Sequence, residues 1–151
     1  MAEFSKVALN YDYKLAINTT PGTEQKTMEE LSKGFNNITK ALNEVLWQGS
    51  FIGDKGWGST YVTGGQMIFT LTGVRVYGDA AQDYIFSNAV KNNFGTARVT
   101  DFEIEYPNGD KLSGDITLAK ITEGGGDSTA PDAVTVEVHF NGQPVFTAAN
   151  A

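Results

Sequence analysis

Asp101, Glu103 and Glu105 stand at alternate positions in the run Arg98-Val-Thr-Asp-Phe-Glu-Ile-Glu-Tyr-Pro-Asn-Gly-Asp. Paired carboxylates can act as general acid and base in glycoside hydrolysis, but there they come from separate segments flanking a cleft. A spacing of two puts these acids on one face of a strand, where they repel one another unless solvated. Two readings stay open: a solvated outer face, or an acidic wall lining a pore. Asp12 and Glu137 rank behind them as acids on outward strand positions.

The run Glu123-Gly-Gly-Gly-Asp-Ser-Thr offers backbone amides and a carboxylate to an anion or Ca²⁺. A phosphate loop needs a Lys-Ser/Thr pair opening a helix, and that pair is missing. A Ca²⁺ loop needs several alternating oxygen ligands, whereas only Asp127 and Asp132 are at hand. A turn between strands is the expected role. There is one His, His139, and no Cys. Disulfides, thiolate metal sites and a His-based metal site or triad are therefore not expected. His139 alternates with Val138 and Phe140 and is expected on a polar face. Phe102, Trp57 and Tyr61 invite comparison with a sugar-stacking platform. Aromatics make up only 11% of the chain, however, and most fall at inward strand phases, so core packing is expected for them. No nucleophile–base pair is placed. The expectation is a protein that is not an enzyme and holds no cofactor or metal.

The elements that must position these residues are mostly strands. A chain of 151 residues is expected to form one domain, 1–151, with a core of its own. The net charge of −7 favours solubility and disfavours wrapping around nucleic acid, which needs a basic face. It does not forbid a pore through which nucleic acid slides. No signal peptide and no membrane-spanning run are seen, so a soluble product is expected. With 17 glycines and few charges, the composition suits a turn-rich β protein.

Val7, Leu9, Tyr11, Tyr13, Leu15 and Ile17 alternate with mostly polar residues and predict one long strand. Thr19-Thr-Pro-Gly-Thr then breaks it. Between Lys26 and Leu46 the evidence conflicts. Met28, Leu31, Phe35, Ile38, Leu42 and Val45 have helical spacing. Gly34, Asn36-Asn37 and Thr39 oppose a helix. Gln48 to Thr60 is a glycine-rich loop carrying the large apolar residues Phe51, Ile52 and Trp57. Such a loop either folds back on its own core or docks on another subunit.

Gly64 to Thr147 reads as a strand pair, one helix and four more strands. A strand runs from Met67 to about Tyr77. A helix follows over Asp79–Lys91, with Asp79 as N-cap and Gln82 closing a capping box. Ala81, Tyr84, Ile85 and Ala89 form its apolar stripe, and Asn92-Asn-Phe-Gly95 stops it. Strands follow over Arg98–Tyr106, Lys111–Ile121, Val134–Phe140 and Pro144–Thr147. Asn108-Gly109 and Asn141-Gly142 are read as hairpin turns, and Glu123–Pro131 as a loop.

This order resembles that of the major tail tube proteins of long-tailed bacteriophages. The resemblance rests on Phe69-Thr-Leu-Thr-Gly-Val-Arg-Val-Tyr-Gly-Asp with Gln82-Asp-Tyr-Ile, on Arg98 to Asp110, on Leu112-Ser-Gly-Asp-Ile-Thr-Leu and on Gly125-Gly-Asp-Ser. It is loosest before Leu31. It implies a mainly β fold: an antiparallel β-sandwich or barrel flanked by one α-helix. It favours extended structure from about Ser32. It also implies a structural protein of the virion tail, made in the host cytoplasm, with no enzymatic activity. Copies would form six-fold rings stacked into a tube, alongside other tail proteins and away from membranes, and DNA would transit the lumen without specific binding. The 48–60 loop, with Phe51, Ile52 and Trp57, would then be an inter-subunit element, and Asp101, Glu103 and Glu105 candidate lumen residues. The competing expectation is a monomeric β-sandwich binding module for carbohydrate or a protein partner.

Overall fold

The computed structural model describes residues 6–149. The strands are β1 (Lys14–Asn18), β2 (Met28–Glu30), β3 (Phe35–Ala41), β4 (Val45–Gly49), β5 (Ser59–Gly64), β6 (Ile68–Val74), β7 (Val99–Glu105), β8 (Lys111–Glu123), β9 (Ala133–Phe140) and β10 (Val145–Thr147). Two short helices, α1 (Ala80–Ile85) and α2 (Asn88–Lys91), lie between β6 and β7. The main sheet runs β2-β1-β7-β8-β9-β6-β3, with β10 on β8, and every pairing is antiparallel. β4 and β5 form a separate two-stranded ribbon.

Period-two patterning explains the main sheet. In β6, β7 and β9 the residues Phe69, Leu71, Phe102, Ile104, Val134, Val136, Val138 and Phe140 are buried, and most of their alternates are only half-buried. Each such side chain contributes about 1.5–3 kcal/mol on burial. The sheet curls on itself. Phe69 on β6 and Phe102 on β7 lie 6.5 Å apart between ring centroids, although β8 and β9 separate them in the sheet. A flat sheet would hold those strands about 14 Å apart. Phe140 packs edge-on against both at 6.1 Å. The helices close one side with Ala81, Ile85, Phe86 and Val90. The architecture is thus a curled antiparallel sheet with a helical flank, and residues 35–49 are extended as the family likeness implies.

Several sequence expectations need correction. The long strand from Val7 begins only at Lys14. Asn10–Asp12 forms a 3₁₀ turn, because the Asp12 carboxylate accepts from Leu9 N–H at 3.1 Å and Asp12 N–H donates to the Leu9 carbonyl at 2.9 Å. Val7 and Tyr11 are consequently exposed. The turn after β1 is tied by buried Asn18, whose side-chain oxygen accepts from Thr20 N–H and Thr27 N–H.

Between Gly64 and the helices stands one strand, not a pair, and it stops at Val74. The helix over Asp79–Lys91 breaks at Phe86–Ser87, where the Ser87 hydroxyl donates to the Tyr84 carbonyl at 2.7 Å. Asp79 does cap it, accepting from Gln82 N–H. The Gln82 side chain does not complete a capping box but turns inward to the end of β6. Ala89 is exposed, and Val90 is buried in its place. The chain leaves α2 at Asn92; left-handed Gly95 comes later and opens a 3₁₀ turn.

Asn108-Gly109 closes the β7–β8 hairpin, with Tyr106 N–H donating to the Asp110 carbonyl. Asn141-Gly142 is a turn but joins no hairpin. β9 and β10 pair successively with the same strand, β8, at Ile116↔Phe140 and then Ser113↔Val145. Asn141 N–H is taken by the Asp115 carbonyl at 2.8 Å, which steers the chain onward along β8.

Candidate assembly surfaces

The glycine-rich segment forms the end of the β4–β5 ribbon. Gln48, Gly49, Ser59 and Thr60 belong to its strands, so the irregular part is shorter than 48–60. The tip is a defined turn. The Asp54 carboxylate accepts from Phe51 N–H at 3.1 Å, and Asp54 N–H donates to the Phe51 carbonyl at 2.9 Å. Phe51, Ile52 and Trp57 are 58%, 98% and 81% exposed.

Apolar groups cover both faces of the ribbon. Trp47 sits opposite Tyr61 in register, rings 5.8 Å apart, and Phe51 adds a third ring 5.9 Å from Trp47. Leu46 and Val62 pair on the other face, and both are exposed. An isolated two-stranded ribbon is marginal in water, and large exposed apolar groups on it call for a cover. Core packing therefore holds for Phe102 but not for Trp57 or Tyr61. The sequence signal for the ribbon lies in the strand-forming runs Val45-Leu-Trp and Thr60-Tyr-Val-Thr on either side of the glycines.

The structure brings Asp101, Glu103 and Glu105 together on the outward face of β7. It also brings lysines to them, which sequence reasoning missed. Lys26 lies 3.3 Å from Asp101, and Lys111 lies 3.4 Å from Glu103 and 3.6 Å from Glu105. Glu103, by hydrogen bond and charge, and then Glu105 hold the Lys111 ammonium above its ordinary pKa. Register could have flagged this, since Lys111 is the cross-strand partner of Glu105. Asp12 lies in the 3₁₀ turn before β1. Glu137 is outward on β9, 2.8 Å from His139 Nε2, which lies on the polar face as expected.

Among the described residues no group of three His, Cys, Asp or Glu side chains is arranged to hold a metal ion, and no helix is long and apolar enough to cross a membrane. Residues 124–132 form the expected loop, with Gly124, Gly125 and Gly126 all at positive φ. A cleft of about 260 Å³ opens where the two ends of the curled sheet approach, lined by Tyr13 and Leu15 on one side and Phe35 and Ile38 on the other.

No family model matches the chain, and no curated protein does. Solved structures do. The tail of an empty GTA particle with C6 symmetry aligns at a TM-score of 0.69 and 16% identity, over 94% of this chain and 100% of that one. A subunit from the virion of a native gene transfer agent particle aligns at 0.66 and 16%, over 94% and 100%. The SPP1 tail tube aligns at 0.64 and 12%, over 93% of this chain and 78% of that one. The likeness spans nearly the whole chain, and the fold it establishes is that of tail tube proteins.

Proposed function

We propose that this chain is a structural tail tube protein. Copies close into six-fold rings, the rings stack, and the stack forms a channel through which DNA passes without specific binding. The chain performs no catalysis and resides in the virion tail. The observation that carries this reading is the β4–β5 ribbon. It leaves the domain with apolar side chains on both faces and no strand partner of its own, on a fold shared with a tail of C6 symmetry. A second copy is the natural cover, because ring closure also pairs open sheet edges.

Phe51, Ile52 and Trp57 are the inter-subunit contacts in this reading. The charge of −7, repeated in every subunit, disfavours retention of phosphate anywhere along the channel. Asp101, Glu103 and Glu105 can supply an acidic lumen only to the extent that Lys26 and Lys111 leave them charge to spare.

Native mass measurement and electron microscopy of a concentrated sample test the reading. Rings or tubes are expected. A chain that stays monomeric at every concentration overturns it. The Trp47–Phe51–Tyr61 cluster then becomes the platform of a carbohydrate- or protein-binding module.

A further inference from the structure

The main sheet has two ends, and they differ. β2 is three residues long, too short to seed extensive pairing. β3 is seven residues long, pairs only with β6 among the described residues, and offers its other edge to solvent. A second open edge lies on β8. β7 pairs with β8 only as far as Thr117, and Arg98 takes the Leu118 carbonyl. The β8 ladder with β9 continues to Glu123 past a bulge at Lys120, which is left-handed. A bulge bends its strand, and here the bend comes just beyond the last pairing with β7. Residues 119–123 thus carry β9 on one side and no strand on the other.

Between these two open edges lie four strands, β8-β9-β6-β3, in unbroken antiparallel order. An even number of alternating strands has a consequence under rotation. β3 of one copy runs opposite to β8 of the next, so antiparallel pairing continues across the junction with no change of sense.

The outward face of these four strands is rich in hydroxyls. One cross-strand row reads Asn37, Thr72, Thr135, Thr122, and the next Thr39, Thr70, Glu137, Ala119. A third places His139 beside Thr117. Glu137 is the one carboxylate in these rows, and it is met by His139 at 2.8 Å and Lys120 at 3.9 Å. The inward phase, with Ile38, Leu71 and Val136, packs toward the core.

Granting the tube reading above, we propose that rings close by pairing the free β3 edge of one copy with the β8 edge beyond Thr117 of the next, which makes this threonine-rich, nearly uncharged face the inner wall of the tube. The acids of β7 then lie off that wall, in salt bridges with Lys26 and Lys111. Neutral hydroxyls lack the charge that holds phosphate and releases its counterions, so DNA slides by absence of attraction rather than by repulsion.

Because the chain has no Cys, single introduced thiols report without background. Thr72→Cys, Thr70→Cys and Glu103→Cys are assembled into tubes, treated with biotin maleimide and probed with streptavidin, which is too bulky to enter a narrow channel. The expected result is that both threonine-site thiols are biotinylated in intact tubes and bind streptavidin only after dissociation. Glu103→Cys is expected either to bind streptavidin on intact tubes or to be unreactive in a subunit contact. The inference is overturned if the threonine sites bind streptavidin on intact tubes or do not react. It is equally overturned if the Glu103 site is the one that reacts yet stays shielded. Failure of the parent chain to form rings or tubes sinks the tube reading itself and is scored separately, on unmodified protein.

Discussion

The side-chain amide of Gln82 bridges both polar groups around Val74: its nitrogen donates to the Val74 carbonyl at 2.9 Å, and its oxygen accepts from Val76 N–H at 2.7 Å. Arg75 Nη1 donates to the same oxygen at 3.3 Å. Gln82 is fully buried. One residue of α1 thus satisfies the backbone where β6 leaves the sheet. Gln82→Leu keeps the volume but strands those groups, each costing about 1–3 kcal/mol when buried and unpaired. The expected total is about 2–4 kcal/mol, read as a lower denaturant midpoint at unchanged slope. Loss of under about 0.5 kcal/mol would show that water replaces the amide.

Gly34 lies against this bridge at φ 88°, and an added β-carbon would collide with Gln82 Nε2 and sit 2.6 Å from the Val74 carbonyl oxygen. Gly22 has the same φ of 88° with open space around it. Gly22→Ala therefore isolates the cost of left-handed backbone, about 1 kcal/mol. Gly34→Ala adds the collision and is expected to cost clearly more, with thermal midpoints separating the two. Equal losses would mean that Gln82 swings aside freely.

These two residues also mark what the sequence could and could not disclose. Period-two runs such as Val134–Phe140 were legible because one face of the sheet is buried and hydrophobicity must alternate. Asp79 was legible as a cap because capping is local. Gln82 has the right spacing for a capping box, yet it serves a distant strand end, a demand set by tertiary geometry. The alternation from Val7 to Tyr13 was genuine but had no sheet to join, so a local Asp12 turn prevailed. For the assembly surfaces, Phe51, Ile52 and Trp57 stood out against glycine. The partners Trp47 and Tyr61 did not, because their pairing is a matter of register, as is that of Lys111 with the acids.

Lys111 offers a test of how far those acids are neutralised. Its pKa is raised chiefly by Glu103, by hydrogen bond and charge, and next by the charge of Glu105. A group raised on folding stabilises the fold fully below its unfolded pKa and loses that contribution as pH climbs through the folded value. Lys111→Gln is expected to lower the thermal midpoint slightly at neutral pH, because the group is exposed and screened. The gap between variant and parent should shrink in high salt and close in strongly alkaline solution. A gap that is unchanged by salt and pH would assign the loss to packing of the lysine stem.

The ribbon tip separates assembly from folding most directly. Phe51 and Trp57 touch no part of the buried core cluster. Replacing both by Ser should leave monomer stability within about 0.5 kcal/mol of the parent, as for most surface changes. If a neighbouring copy covers them, the same change removes about 1.5–3 kcal/mol of burial per side chain, less the entropy of ordering them. Assembly should then need a higher protein concentration by at least tenfold, measured by sedimentation or light scattering. Phe69→Ala is the opposite control: it opens the core and should cost about 3–5 kcal/mol of monomer stability. A Phe51→Ser/Trp57→Ser variant that unfolds as a monomer would place the ribbon in its own subunit's core. One that assembles at the parent's concentration would remove the ribbon tip from the interface altogether.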